Sequence, residues 1–290
     1  MTLEDLVRHF IEASISGASK TQVVRKFKET YNLNENQIKK LENLAKFKKK
    51  PKKINYKEFY KNNITKKTQR IYFPFTQIYK HENFLSDQEC EKLISMISKT
   101  LRPSTVADKG DTCLVNNYRT SKTSDLNYFT DPFYLNIDKK IANLMNLEPF
   151  FGETMQAQKY EIGEYYKEHY DFFSPFNHEY KTYCEWMGQR TWTTMIYLND
   201  VEEGGETYFK HLNLKIKPKK GLLIGWNNLY SNGFPNYKTM HEALPPLKGS
   251  KYIILSGGVA GVLFNYHLTL CDQYLGENLS GFGSCALCLA

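Results

Sequence analysis

The pattern of hydrophobic and polar positions divides the chain into a helical beginning and a β-rich remainder. Apolar residues recur at helical spacing near both ends of the first fifty residues. A helix capped by Ser19 is predicted between these two segments. Three short helices with basic exteriors therefore predict a small helical module over residues 1–50. The apolar positions that define its first and last helix are Leu3, Leu6, Val7, Phe10 and Ile11, and Ile38, Leu41, Leu44 and Ala45.

The pattern of apolar and polar residues changes at Ile71, where an alternating apolar segment predicts a strand. A helix follows, with Ser86 as its N-cap and Glu89 completing a capping box. A second helix is predicted near Pro132–Met145. After Thr154, short apolar strands alternate with Gly, Pro and Asn turns, which is typical of a sandwich or barrel. The predicted fold class is therefore mainly β with flanking helices, and the first of these helices should pack Cys90, Leu93, Ile94 and Ile97 on a sheet.

The charge is concentrated in the first part of the chain. Residues 1–70 contain 18 Lys and Arg against 7 Asp and Glu, whereas the rest contains 21 against 24. The excess predicts either an anionic partner, such as nucleic acid bound through residues 1–53 in helix-turn-helix fashion, or simply a solvated basic face. The lysine-rich run around Pro51 predicts a mobile charged linker over residues 51–70.

The sequence predicts a cytoplasmic protein with no membrane partner. Residues 1–10 contain four charged or titratable side chains and lack a signal-peptide pattern, and no apolar stretch approaches the length of a membrane helix. The six cysteines include one Cys-x-x-Cys pair, Cys285 and Cys288, but no second pair that would complete a zinc site. We therefore expect reduced cysteines.

Candidate chemistry begins at His169 and Asp171. In an extended segment a spacing of two residues points both side chains to the same face. This pair alone is weak evidence, because His-x-Asp often occurs by chance. His241 supplies a third candidate ligand. Two His and one Asp on one face of iron(II) leave three positions open for a bidentate cosubstrate and dioxygen.

Residues 71–255 resemble the catalytic domain of the prolyl 4-hydroxylases, which are iron(II)- and 2-oxoglutarate-dependent dioxygenases. The resemblance rests on Tyr-Glu-Ile-Gly-Glu-Tyr-Tyr-Lys-Glu-His-Tyr-Asp at 160–171, on Gln-Arg at 189–190, on Tyr-Leu-Asn-Asp-Val-Glu-Glu-Gly-Gly-Glu-Thr at 197–207, and on His241 ten residues before Lys251. It implies a double-stranded β-helix, a cupin-like jelly roll flanked by helices.

The same resemblance implies roles for individual residues. His169, Asp171 and His241 would bind iron(II), while Lys251 and Tyr160 would bind the distal carboxylate of 2-oxoglutarate. Dioxygen would be the second cosubstrate, and ascorbate a further cofactor. The implied reaction hydroxylates prolyl residues of a peptide or protein and converts 2-oxoglutarate to succinate. The positions implied to lie near the substrate are Arg119, Arg190 and Trp226.

Two alternatives remain beside prolyl hydroxylation. One is a related oxygenase that acts on another side chain, a small molecule or a nucleic acid. The other is a binding module whose catalytic domain no longer turns over. The metal-site residues do not distinguish these alternatives from prolyl hydroxylation, because the loops around the substrate groove determine which substrate binds.

The tail over residues 256–290 departs from the family pattern. After Lys-Tyr-Ile-Ile the family would continue with a segment like Thr-Lys-Trp, whereas this chain has Leu-Ser-Gly-Gly-Val from Leu255. The codons ACT AAG TGG TGG CGT spell Thr-Lys-Trp-Trp-Arg, and loss of the first base gives Leu-Ser-Gly-Gly-Val. We therefore hypothesise a frameshift, against a genuinely divergent tail, and a frameshift would threaten the strand that carries Lys251.

Overall fold

The structure is a computed structural model that describes residues 6, 10, 19–45, 68–104, 118–126, 131–145, 153–173, 189–230 and 235–256. Most of the predicted linker, residues 51–67, and all of the predicted tail except Ser256 lie outside these residues. The predicted linker ends too late, because Gln69 and Arg70 already belong to a strand, Gln69–Phe73. By contacts the chain divides into two compact units. One comprises Met1–Ile54, Pro175–Gln189 and Gly261–Ala290, and the other comprises Asn55–Ser174 and Arg190–Ala260.

The first unit contains a helical pair, α1 (Lys20–Tyr31) and α2 (Glu35–Ala45). The predicted cap at Ser19 is confirmed, since its side chain accepts from the backbone of Gln22 in a full capping box. Of the predicted first helix only Leu6 and Phe10 are described, and both are helical and buried. Phe10, Phe27 and Tyr31 share an aromatic contact in which the first two ring centroids lie 5.0 Å apart.

Part of the positive charge of this helical pair is balanced locally. Lys20 Nζ lies 3.0 Å from a carboxylate oxygen of Glu42, and Lys28 forms an ion pair with Glu35. Exposed pairs of this kind add little stability. They do lower the charge that the pair offers to an anionic partner.

The second unit is built from antiparallel strands. The described strands are β1 Gln69–Phe73, β2 Thr76–His81, β3 Arg102–Pro103, β4 Lys122–Asp125, β5 Gln156–Tyr160, β6 Tyr166–His169, β7 Trp192–Tyr197, β8 Glu203–Gly204, β9 Thr207–Phe209, β10 Leu214–Ile216, β11 Leu223–Asn227, β12 His241–Ala243, β13 Pro246–Lys248 and β14 Lys251–Ser256. In the described residues they form an eight-stranded sheet in the order β1-β2-β11-β7-β14-β5-β4-β3, a four-stranded sheet in the order β10-β9-β12-β6, and the pair β13-β8.

The chain alternates between the two larger sheets as it proceeds from β5. Strands β5, β7, β11 and β14 lie in the eight-stranded sheet, while β6, β9, β10 and β12 lie in the four-stranded sheet. This alternation is the topology of a double-stranded β-helix, and the predicted mainly β fold class is confirmed. Inward residues of these strands form one core cluster, which includes Tyr160, Met195, Tyr197, Phe209 and Trp226.

Two predicted helices flank the strands, α3 (Asp87–Ile97) and α4 (Pro132–Met145). The capping box of α3 is confirmed by reciprocal bonds between Ser86 and Glu89. Its predicted inner face is also confirmed for Cys90, Leu93 and Ile97, which are fully buried, while Ile94 is half-buried. No helix among the described residues is both long and apolar enough to span a membrane.

Strand β14 occupies a central place in the large sheet. It pairs with β5 on one side and β7 on the other, and this pairing continues through Leu255 and Ser256. The strand that a frameshift would threaten is therefore present as far as Ser256. The hypothesis itself concerns the codons of residues 255–290 and stays a prediction.

Two short strands lie where the sequence has no apolar strand pattern. Glu203–Gly204 forms β8, which pairs with β13. Lys122–Asp125 forms β4, where Thr123 and Ser124 are buried. Polar Ser and Thr side chains give no apolar alternation, so their burial depends on neighbouring strands rather than on a local pattern.

Candidate metal centre

The three predicted metal ligands lie together. His169 ends β6 and His241 begins β12, and the two are direct cross-strand partners. Asp171 follows two residues after His169, and one carboxylate oxygen lies 3.8 Å from Nε2 of His169 and the other 3.9 Å from Nε2 of His241. One ligand atom from each of the three lies within 4.8 Å of the others.

Backbone carbonyls orient both imidazoles for metal binding. Nδ1 of His169 lies 2.7 Å from the carbonyl of Lys167, and Nδ1 of His241 lies 3.0 Å from the carbonyl of Thr239. A carbonyl only accepts, so Nδ1 carries the proton and Nε2 keeps its lone pair on the side of Asp171. Burial lowers the pKa of His169, which favours the neutral ring.

The Asp171 carboxylate accepts a hydrogen bond of 2.7 Å from the hydroxyl of Thr193. Burial acts to raise its pKa, but the neighbouring His241 and His169 and the Thr193 bond outweigh burial, and the pKa of Asp171 lies below its usual value. The centre thus offers one carboxylate and two imidazoles whose Nε2 atoms face it. This donor set suits a divalent transition metal and fits iron(II).

Aromatic rings enclose the two histidines. The ring of Tyr166 stacks on His169 with centroids 3.7 Å apart, and Trp226 and Phe209 pack against His241 at 4.9 and 5.4 Å. Trp226 has no exposed surface. It lies in the wall of the metal centre, and its burial does not support the predicted direct contact with a substrate.

A buried cation lies within the same β-helix. Lys251 is 1% exposed, and its ammonium donates to the carbonyls of Gly205 at 2.9 Å and Leu244 at 3.4 Å. No carboxylate among the described residues forms an ion pair with it. Burial lowers the pKa of Lys251 to about 7, opposed by the charge of Glu206. A buried cation that has no carboxylate ion pair among the described residues favours an anionic ligand, such as the distal carboxylate of 2-oxoglutarate.

Tyr160 faces this cation. It is the cross-strand partner of Lys251, its hydroxyl donates to the side-chain oxygen of Gln158 at 2.5 Å, and burial raises its pKa, which keeps the phenol protonated. The turn beside Lys251 requires glycine: Gly204 and Gly205 have φ of 75° and 76°. This turn delivers the Gly205 carbonyl to the ammonium.

Both predicted substrate arginines contact residues of the centre. Arg190 forms a two-point ion pair with Glu153 at 2.6 and 2.9 Å and donates to the backbone carbonyl of Asp171 at 3.3 Å. Burial opposes its charge, but Glu153 raises the pKa of Arg190 above its ordinary value. Arg119 lies 4.9 Å above the ring of Tyr166, which itself stacks on His169.

The sequence reasoning missed Thr193 and Glu153. A signal for Thr193 does exist, since it alternates with Met195 and Tyr197 on β7, and those apolar side chains belong to the buried core. A hydroxyl in an otherwise apolar inward row indicates a polar partner inside. Glu153 has no such signal, because only the fold brings it to Arg190.

Comparison with known proteins agrees with this geometry. Residues 155–256 match the model of the 2OG-Fe(II) oxygenase superfamily. A viral collagen prolyl hydroxylase from Paramecium Bursaria Chlorella virus-1, solved as a 2OG complex, is 30% identical and aligns over 63% of this chain and 95% of its own, with a TM-score of 0.49. By the family model, residues 155–256 are a 2OG-Fe(II) oxygenase domain, a family whose name gives its metal and its cosubstrate.

Among curated proteins the chain is similar to prolyl 4-hydroxylase α subunits. It is 34% identical to subunit alpha-2 of Gallus gallus over 178 residues, which is 61% of this chain and 33% of that protein. Against subunit alpha-3 of Rattus norvegicus it is 34% identical over 183 residues, 62% of this chain and 32% of that protein. The chain thus spans about a third of the length of these relatives.

Proposed function

We propose that this protein is an iron(II)- and 2-oxoglutarate-dependent dioxygenase that hydroxylates prolyl residues in a peptide or protein. The observation that carries the proposal is the facing set of His169, Asp171 and His241, with both Nε2 atoms directed at one carboxylate. The similarity to prolyl 4-hydroxylase α subunits supports the prolyl substrate.

The three ligands would hold iron(II) on one face and leave the opposite face open. Bound iron(II), with 2-oxoglutarate and dioxygen, supplies an oxidation that forms succinate and carbon dioxide and hydroxylates a C–H bond of the substrate. The chain's own contribution is geometric and electrostatic. The backbone carbonyls of Lys167 and Thr239 accept the Nδ1 protons of the two ligand histidines, which leaves Nε2 for the metal. The hydroxyl of Thr193 donates to the ligand carboxylate.

Lys251 and Tyr160 would bind and orient the cosubstrate. The protonated ammonium of Lys251 would pair with the distal carboxylate. The phenol of Tyr160 would redirect its single proton from Gln158 to the same carboxylate. The surrounding core side chains exclude water, which strengthens the charge interaction. Lys251 is therefore the residue that distinguishes an acidic cosubstrate from a neutral one.

Arg190 and Arg119 are the proposed substrate contacts. The side chain of Arg190 keeps 31% of its surface exposed, and Glu153 fixes its guanidinium in one orientation. Arg119 retains 9% exposure above Tyr166. Planar guanidinium groups in these positions suit the carbonyl oxygens of a peptide backbone.

Ascorbate is proposed only as a reductant that sustains turnover.

The test uses the full chain with iron(II), 2-oxoglutarate, ascorbate and proline-rich peptides. Succinate is quantified, and each peptide is examined by mass spectrometry for the gain of one oxygen atom at proline. We expect succinate and hydroxylated peptide in equal amounts. Matched peptides with alanine in place of proline should give neither above background, and removal of the metal by a chelator should stop both.

Other outcomes would contradict the proposal in distinct ways. Succinate release with another class of acceptor, and never with prolyl peptides, would identify a related oxygenase. Metal binding without succinate formation under any condition would identify a binding module. In either case the prolyl hydroxylase proposal is rejected.

A further inference from the structure

We infer that Thr193 and Asn228 are positioning residues that together set the geometry of two metal ligands, Asp171 and His241. The inference rests on the proposed metal centre and adds a relay that lies behind it. One branch of the relay runs through side chains to the carboxylate. The other runs through the main chain to the imidazole.

The side-chain branch has a fixed direction. Thr193 donates its hydroxyl proton to Asp171 at 2.7 Å, because an ionised carboxylate can only accept. With that proton used, the Thr193 oxygen accepts from the side-chain amide of Asn228 at 2.9 Å. The amide orientation of Asn228 therefore determines the hydroxyl orientation of Thr193, which in turn fixes the rotation of the Asp171 carboxylate.

The main-chain branch starts from the same asparagine. The carbonyl of Asn228 accepts from the backbone N–H of Asn236 at 2.8 Å. The carbonyl of Asn236 accepts from the backbone and the hydroxyl of Thr239, at 3.0 and 2.8 Å. The carbonyl of Thr239 then accepts the Nδ1 proton of His241 at 3.0 Å. Asn228 thus contributes to the orientation of both ligands.

Burial makes this relay rigid. Asn228, Asn236 and Thr239 have no exposed surface, and Thr193 is 3% exposed. Each hydrogen bond of a buried network resists rearrangement, since breaking it leaves polar atoms unpaired away from water. The side-chain oxygen of Asn228 itself has no hydrogen-bond partner among the described residues. The backbone N–H of Asn228 is also held, by the carbonyl of Thr191 at 2.7 Å.

Neighbouring residues supply matched controls. Asn227 is 2% exposed like Asn228, but its side chain donates to Gln77 and accepts from the backbone of Leu229, away from the ligands. Thr194 is 4% exposed and follows Thr193 on β7, so its side chain points to the other face of the sheet. Each control has the same residue type and similar burial as its test residue but does not reach the metal ligands. The hydroxyl of Thr194 also has no hydrogen-bond partner among the described residues, so Thr194→Val removes no hydrogen bond.

The experiment measures the dissociation constant of Mn²⁺, a redox-stable probe, for the full-length protein and its variants. Thr193→Val and Asn228→Ala should each weaken Mn²⁺ binding about 10- to 100-fold, as removal of an outer-shell partner does. Thr194→Val and Asn227→Ala should stay within about twofold of the wild type, because distant sites couple weakly. Thr193→Ser, which keeps the hydroxyl, should restore the affinity.

Two further measurements separate positioning from a merely structural role. Thermal unfolding of the metal-free variants reports their stability. If Thr193 and Asn228 had only a structural role, their variants would have a lower Tm but the same Mn²⁺ affinity as the matched control variants. The double variant Thr193→Val with Asn228→Ala should bind Mn²⁺ about as weakly as the weaker single variant, because both act through one contact. Additive losses would overturn the relay.

The outcomes for this relay and for the proposed activity are distinct. Equal Mn²⁺ affinities for Thr193→Val and Thr194→Val would overturn the relay but would not contradict the proposed hydroxylase activity. Wild-type Mn²⁺ binding that depends on Thr193, without succinate formation, would support the relay and reject the proposed activity. A wild-type protein that binds no Mn²⁺ would overturn the metal centre and the relay together.

Discussion

Lys251 and Tyr160 are direct cross-strand partners in β14 and β5, and the ammonium of Lys251 lies 4.3 Å from the centre of the Tyr160 ring. Each is 1% exposed. The fold therefore holds a cation against an aromatic face inside the β-helix. The lowered pKa of Lys251 shows the cost of that burial, and an anionic cosubstrate would offset it.

Replacing Lys251 should separate cosubstrate binding from stability. Lys251→Met keeps an unbranched chain of similar length but removes the charge, so 2-oxoglutarate should bind about 30-fold more weakly or worse. The free energy of unfolding of the free protein should not fall, because a buried unpaired charge is lost. Calorimetric titration and denaturant unfolding measure the two quantities.

Lys248→Met is the matched control for this change. Lys248 lies three residues earlier, and its side chain is 61% exposed in an ion pair with Glu202. Its replacement should leave the 2-oxoglutarate affinity within about twofold, because exposed pairs contribute little. Similar losses for both variants would show that the buried cation does not bind the cosubstrate.

Binding of 2-oxoglutarate should weaken as the pH rises above about 7, the pKa of Lys251 in the free protein. Above that pH the amine is neutral and must take up a proton to pair with the carboxylate. The dissociation constant should therefore increase by up to about tenfold per pH unit. Glu206 favours the charged amine, and Tyr160 is neutral throughout this range.

The stability of the free protein should change in the opposite sense. Between about 7 and the ordinary value of 10.5, the unfolded chain binds a proton at Lys251 that the folded chain does not. The contribution of Lys251 to the free energy of unfolding thus rises with pH through this window. Comparing wild type with Lys251→Met isolates the contribution, and pH profiles that coincide would contradict the assignment.

Loss of one metal ligand should abolish the metal site without unfolding the protein. For His169→Ala we expect metal affinity to fall by more than about 100-fold, exceeding typical outer-shell effects. His211→Ala is the control, since His211 is exposed in the short 3₁₀ helix Lys210–Leu212 and lies outside the metal cluster. Retained iron binding and turnover in His169→Ala would show that the ligand assignment is wrong.

The glycine turn beside Lys251 should tolerate no side chain at Gly204. A Cβ there would lie 2.5 Å from the carbonyl of Pro245 and 2.9 Å from the backbone nitrogen of Leu247. Left-handed strain plus this backbone overlap should lower the free energy of unfolding by about 2–4 kcal/mol in Gly204→Ala. Denaturant unfolding measures the loss.

Gly163→Ala separates the two causes of that loss. Gly163 has φ of 80°, but nothing lies within 4 Å of a Cβ built on it. This variant should lose only the strain contribution, about 1–2 kcal/mol. Equal losses at Gly163 and Gly204 would show that the overlap is relieved by movement of β13.

The frameshift hypothesis has a direct test in the DNA of the gene. If it is correct, restoring one base before the codon of Leu255 gives a frame that continues with a segment like Thr-Lys-Trp. That frame should run on as an open reading frame of family-like sequence. An early stop codon, or a frame without such a segment, would leave the divergent tail as the explanation.

Local rules account for the features that the sequence predicted well. The reciprocal Ser86 and Glu89 bonds begin α3 as expected. His169 and Asp171 do lie together, with Nε2 and a carboxylate oxygen 3.8 Å apart, although β6 ends at His169 and Asp171 follows the strand. These features depend on neighbours within a few residues. His241 was a candidate ligand from its residue type, and the resemblance to the prolyl 4-hydroxylases added Lys251 and Tyr160. No local period connects these three residues.

The sequence by itself determined the main helices and the β-rich character of the chain, the His-x-Asp pair and the resemblance to the prolyl 4-hydroxylases. Only the tertiary structure decided that His241 stands opposite His169, that Trp226 is buried behind it, and that Thr193 and Asn228 brace the ligands. The physical reason is that strand pairing joins residues far apart in the chain. Register and burial there are set by the whole β-helix, and no local pattern encodes which polar side chains will meet inside it.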